Sequence, residues 1–185
     1  MLLKILIIII FFFSFTLNIQ ADEKQLIIDK LIQTKNFTFN FEQITNKGVE
    51  AGYCLFVFDN KLKCKYEGKL QKEIIVNNKT LVVLKKKYNK IYFYPISKSL
   101  FSNILNKNNL IKVIQESVLT VNNNIELVYL DKKNKKIKIF FGINNYELMG
   151  WLIEDKLQNE IFFSLKIDNT NTEIDSKNFK IPTAN

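Results

Sequence analysis

The side chains able to do covalent or acid–base chemistry are few. The 185-residue chain contains two cysteines, Cys54 and Cys64, and no histidine. A nucleophile relayed through imidazole, whether Ser-His-Asp or Cys-His, cannot be assembled, and neither can a histidine metal site. Paired carboxylates remain the one acid–base option. The Asp and Glu residues, however, are scattered beside lysines, and no two share an apolar setting that would drive their pKa values apart. Five glycines provide no phosphate-cradling loop. Cys54 and Cys64 lie on either side of a turn, at an even separation that allows both side chains one face of a hairpin. A structural disulfide and two buried thiols both remain open, whereas the spacing is not that of a redox-active CxxC pair. The expectation is therefore a protein with no catalytic residues, no metal and no cofactor: not an enzyme.

All of the positive charge is lysine. The net charge is +9. It becomes +8 if the first 21 residues are removed, leaving 26 Lys against 18 acids. A solvated surface of biased composition accounts for this, as does attraction to anionic headgroups or an acidic partner. The same alternatives apply to the clusters Lys85–Lys87 and Lys132–Lys136, which are either solvated turns or docking charges. An exported chain without arginine argues against nucleic acid. Export is read from residues 1–21, where Lys4 precedes an apolar run from Leu6 to Leu17 that decays at Asn18 and Gln20 and ends on Ala21. That is the pattern of a cleaved signal peptide, too short for a membrane anchor. Asp22, not cysteine, would follow the cut, so no lipid attachment is expected and residues 22–185 form one domain.

The elements that must carry these residues follow from periodicity. Leu26, Ile27, Leu31 and Ile32 have helical spacing over 22–35, with Asp22 as a cap. Phe37, Phe39 and Phe41 then alternate with polar residues, which predicts a strand with one aromatic face. A hairpin runs from Gly52 to Phe58, turns at Asp59-Asn60-Lys61 and returns through Leu62, Cys64 and Tyr66. Strands are predicted at about 73–77, 80–86 and 90–96, followed by a short helix over 97–106 with Leu100, Phe101, Ile104 and Leu105 on one face. Further strands are predicted at about 111–120, 125–131, 136–142, 146–154 and 160–167. The tail holds an isolated Phe179-Lys180-Ile181-Pro182. The fold class is α+β, mainly β: one strongly curved antiparallel sheet wrapping short helices, its interior either a fully packed core or an apolar cavity.

Phe41-Glu42-Gln43, Gly52 opening the hairpin, Leu62-Lys63-Cys64-Lys65-Tyr66, Ile74-Ile75-Val76-Asn77-Asn78-Lys79, Tyr94-Pro95 before Leu100 and Leu105, Leu148-x-Gly150-Trp151 with Asp155, and the closing Phe179 and Pro182 occur in an order that resembles the outer-membrane lipoprotein carrier family, LolA. The resemblance spans most of the chain after residue 21. It implies a half-open barrel with a helical lid over a cavity for acyl chains. Mapped here, the cavity would be lined by Phe37, Phe39, Phe41, Leu55, Val57, Leu62, Cys64, Tyr66, Tyr92, Tyr94 and Trp151, with Leu100, Phe101 and Ile104 on the lid. Alternation alone leaves the inward face of 52–58 open, since Phe56 and Phe58 compete with Leu55 and Val57.

The resemblance also implies partners: lipoproteins held by their acyl chains, an ATP-driven lipoprotein-releasing complex at the inner membrane as loader, and an outer-membrane receptor as acceptor, with the carrier a periplasmic monomer. Covering a 16-carbon chain is worth up to ~13 kcal/mol, at ~0.8 kcal/mol per methylene. Such cargo does not leave into water unaided. The same fold suits a lipid-sensing regulator, which usually brings a second domain, or a carrier of another lipid such as a glycolipid. One departure bears on mechanism. The family arginine that latches the empty lid would fall among Val57, Phe58 and Asp59, so this lid must close through apolar contact or through a lysine such as Lys61 or Lys63.

Overall fold

The computed structural model describes residues 23–58, 60–98, 102–131, 135–154 and 159–182; the expected signal segment, Asp22, Leu100 and Phe101 lie outside these. Eleven antiparallel strands form one sheet: β1 (Asn36–Thr45), β2 (Gly48–Val57), β3 (Lys61–Tyr66), β4 (Lys72–Asn77), β5 (Thr80–Lys85), β6 (Lys90–Pro95), β7 (Val118–Val121), β8 (Ile125–Leu130), β9 (Lys136–Phe141), β10 (Leu148–Glu154) and β11 (Glu160–Thr170). Their spatial order is β6-β5-β4-β3-β2-β1-β11-β10-β9-β8-β7. The sheet is not closed, and β6 and β7 are its two edges. Among the described residues three α-helices accompany it: α1 over 23–33, α2 (Ser102–Leu105) and α3 (Lys107–Glu116).

Register shows how one face becomes the core. Phe37, Phe39 and Phe41 of β1 stand opposite Phe56, Cys54 and Gly52 of β2. Cys54, Phe56 and Gly52 in turn face Cys64, Leu62 and Tyr66 of β3, and the same row continues through Val76 and Ile74 to Leu81 and Val83. On the other side, Phe163, Trp151, Ile139, Leu127 and Leu119 pair in succession from β11 to β7. Ile27, Ile28 and Leu31 of α1, Ile104 and Leu105 of α2, and Leu110, Val113 and Ile114 of α3 are buried in one cluster with this face. The interior is thus packed by helix side chains.

Four expectations are corrected. Leu55 and Val57 belong to the opposite, convex face, because the hairpin register puts Cys54 and Phe56 on the core side and both of these are buried. Residues 111–116 are helical rather than a strand: Leu110, Val113 and Ile114 recur at i, i+3, i+4, and the Asn106 side chain accepts the Asn109 N–H as an N-cap. In α1 the buried set is Ile27, Ile28 and Leu31, while Leu26 and Ile32 are exposed. The tail is not isolated. Its turn at Ser176–Phe179 packs on β3 and β4, the Phe179 carbonyl accepts from Asn77 Nδ2 at 3.2 Å, and Phe179, Ile75 and Val82 are buried. Ile75 and Val82 pair on the face opposite the helices, so a second small core lies there.

Cys54 and Cys64 are directly paired across β2 and β3 and form a disulfide. It closes a loop with a sequence separation of 10, for which chain entropy alone gives about 3 kcal/mol. Replacing both cysteines by alanine is expected to lower the unfolding free energy by about 2–3 kcal/mol in urea titrations, and dithiothreitol should produce the same shift in the native chain and none in the double variant.

Candidate functional site

The feature built most elaborately is an aromatic file across the middle of the concave face. Trp151 stacks on Phe163 with ring centroids 4.5 Å apart, and Phe163 stacks on Phe41 at 4.7 Å. Phe41 meets Tyr66 edge-on at 4.8 Å. Tyr66 belongs to β3, two strands away from Phe41, and the strand between contributes Gly52. A Cβ at Gly52 would sit 2.2 Å from the Lys65 carbonyl oxygen and 2.8 Å from the Phe41 ring. Only glycine leaves room for the two rings to touch over it. Gly150 plays a similar part beside Trp151, since a Cβ there would lie 2.3 Å from the Phe163 carbonyl oxygen.

The file ends in a polar cap. The Tyr66 hydroxyl donates to Gln43 Oε1 at 2.7 Å, Lys72 Nζ lies 3.6 Å from the Tyr66 ring centroid, and the same ammonium donates to Glu50 Oε1 at 2.6 Å. Burial pushes the Tyr66 phenol well above its ordinary range, and the neighbouring Glu50 carboxylate pushes it the same way. The phenol therefore stays protonated and acts as a hydrogen-bond donor, not as a base.

The cover is held by helix ends. Lys107, the first residue of α3, donates to the Thr34 and Ile32 carbonyls at 2.7 and 3.3 Å, at the C-terminus of α1. Lys24, in the first turn of α1, donates to the Ser117 and Gln115 carbonyls at 2.6 and 3.1 Å, at the C-terminus of α3. Each helix thus neutralises the negative end of the other, where unsatisfied carbonyls concentrate. The end of α2 is fixed by the Asn60 N–H, which donates to the Leu105 carbonyl at 3.1 Å. Lid carbonyls are therefore bound from the β2–β3 turn by backbone, and the lysine contacts run between the helices. Lys107 Nζ also lies 5.0 Å over the ring of Phe58.

Of the residues expected to line a cavity, Phe37, Phe39, Phe41, Leu62, Cys64, Tyr66 and Trp151 are brought together, all buried on the concave face. Tyr92 and Tyr94 share that face through their pairing with Val83 and Leu81, but stand exposed on edge strand β6. Leu55 and Val57 are excluded from it. Ile104 is buried in the lid. The sequence reading missed Ile74, Val76, Ile137, Ile139, Phe141 and Phe163. The alternation of Ile137, Ile139 and Phe141 with Lys136 and Lys138 was the available signal. Among the described residues no cluster of three or more His, Cys, Asp or Glu could hold a metal, and no helix is long and apolar enough to cross a membrane.

No family model matches the chain, and no curated protein matches it. Solved structures do. An uncharacterized conserved protein from Thermus thermophilus is similar with a TM-score of 0.53 and 6% identity, over 85% of this chain and 93% of that one. MucB is similar with a TM-score of 0.50 and 10% identity, over 88% of this chain and 62% of that one. The fold is the one they share. A LolA superfamily protein from Nitrosomonas europaea matches with a TM-score of 0.45 and 11% identity, over 85% and 97% of the two chains.

Two outcomes follow from the geometry. Gly52→Ala is expected to cost about 1–3 kcal/mol of stability, because the file must part to admit a methyl group, measured by urea denaturation with Trp151 fluorescence as the probe. Exchanging Lys24 or Lys107 for methionine should lower amide-exchange protection of both α1 and α3 by about tenfold while leaving β1 and β11 unchanged.

Proposed function

We propose that this chain is a carrier, exported to the periplasm by a cleaved signal peptide, that shelters the acyl chains of lipoproteins and passes them from the inner to the outer membrane. One observation carries the reading: among the described residues, the aromatic and aliphatic face of an open sheet is covered by three short helices, bound by apolar side chains and a few polar contacts. An acyl chain offers the sheet the same chemistry as Ile27, Leu31, Leu110 or Ile114 and can replace them once the helices swing aside. The exchange is close to neutral, because apolar surface leaves one apolar partner for another. A weak grip of this kind suits cargo that must be handed on. Residues 22–185 act as one domain, without catalysis or cofactor. A loader that spends ATP on extracting the lipoprotein, and an acceptor that binds it better, supply the direction.

Native mass spectrometry of the processed protein co-expressed with a diacylated lipoprotein tests this. A one-to-one complex is expected, weakened by Tyr92→Asp, which places a charge on the concave side of an exposed edge where the fold tolerates it. Free glycolipid or fatty acid in place of lipoprotein would move the reading to a carrier or sensor of that lipid. Absence of any lipid would overturn it.

A further inference from the structure

Charge is distributed unevenly along the chain. Between Glu73 and Glu116 there is no carboxylate, and the 42 residues between them contain eight lysines. The remainder of the chain after residue 21 has eighteen lysines and eighteen carboxylates. The whole net charge of +8 therefore resides in the segment that runs from β4 through β5 and β6 to the lid helices α2 and α3.

Within that segment, β6 is an edge strand whose middle is aromatic on both faces. Tyr92 and Tyr94 leave by the concave side and Phe93 by the convex side. Phe93 and Tyr94 are 45% and 50% exposed. Tyr88 stands exposed in the preceding turn. The cations gather at the two ends of the strand: Lys79 beside Pro95, and Lys85, Lys87 and Lys90 at the start. Lys85 Nζ lies 5.7 Å over the Tyr92 ring and Lys87 Nζ 5.6 Å over that of Tyr88.

We propose that this edge docks on an anionic bilayer surface, with Phe93 and Tyr94 seated at headgroup depth and the flanking lysines on lipid phosphates. The proposal rests on the carrier reading for its purpose, since it places one edge of the open sheet against the membrane that gives or takes cargo. The chemistry favours lipid over an acidic protein. Aromatic side chains projecting from both faces of one strand fit a surface that yields on every side, whereas a protein groove reads a single face. Lysine point charges suit a diffuse field of phosphates, and the bidentate carboxylate recognition supplied by arginine is absent. Lys90 and Pro95 at the two ends also discourage addition of a partner strand. Tyrosines with adjacent lysines are the composition found where proteins meet the headgroup layer.

Flotation of the processed protein with vesicles of phosphatidylcholine, alone or with about a third phosphatidylglycerol, tests this. Binding is expected only to the anionic vesicles and should fall with salt. The triple variant K85E/K87E/K90E should bind at least about tenfold more weakly. The pair Phe93→Ser and Tyr94→Ser should also weaken binding while leaving its salt dependence intact. The charge-matched control K47E/K166E/K177E should bind like the native chain. No flotation, equal flotation on neutral vesicles, or an equal loss in the control would overturn the proposal, as would capture of an acidic protein through this edge with vesicles left unbound. Loading with a fluorescent fatty acid, measured without vesicles, separates the two readings. Docking lost with loading retained refutes the membrane edge alone; loading lost with docking retained refutes the carrier alone.

Discussion

β6 and β7 are consecutive strands in the chain and yet form opposite edges of an eleven-stranded sheet. Every other strand-to-strand step before β6 and after β7 is a step to a neighbour. The connection between the two edges, from Ile96 to Ser117, must therefore cross a face of the sheet, and curvature makes the concave face the short way. That crossing is the lid. Its apolar residues, Ile104, Leu105, Leu110, Val113 and Ile114, are buried because the path lays them on the concave surface, and α1 shares the remaining space. An apolar sheet face left uncovered would cost about 25 cal/mol per Å², so one topological fact dictates where the helices sit and what they hide.

The aromatic file is the second consequence of curvature. Side chains on the inside of a bent sheet converge, and large rings on adjacent strands would collide unless some strand withholds its own. Gly52 does this between Phe41 and Tyr66, and the disulfide pair Cys54 and Cys64, small and compact, does so one step along, beside Phe39. The rigid centre made in this way contrasts with the cover, whose helix-end carbonyls are bound by Lys24, Lys107, the Asn60 N–H and the Asn171 side chain. The contrast is between a face fixed by interlocked rings and a lid fixed at its ends.

Much of this was legible in the residues. The strand at Phe37 to Phe41, the hairpin through Cys54 and Cys64, and the strands that follow could be read from period-two alternation. The inward face of β2 could not, because Leu55, Phe56, Val57 and Phe58 are apolar on both sides and parity carries no information there. The hairpin itself held the answer. Leu62, Cys64 and Tyr66 are the apolar side of β3, and the short connection closed by the Val57–Lys61 pair sets the even-numbered residues of β2 against them. The helix at 107–116 was hidden by its β-branched Ile111, Val113 and Ile114, whose local preference is for strands; the buried stripe and the Asn106 cap outweigh it. The edge position of Tyr92 and Tyr94 depends on the complete strand order, which no local pattern encodes.

The central strand has an uneven relation to time. β1 meets β2 across a tight turn, but its other neighbour, β11, lies more than a hundred residues further along. The first six strands can zip together by successive hairpins as soon as they are made, with the disulfide locking two of them. The second side of β1 must then wait, its backbone donors and acceptors open, until almost the whole chain has arrived. The tail that seals the convex core comes later still. Assembly thus has a built-in delay at the middle of the sheet, where long-range pairing is slow, and a chain threaded through a narrow passage from its amino end could not set its final shape before the passage was complete.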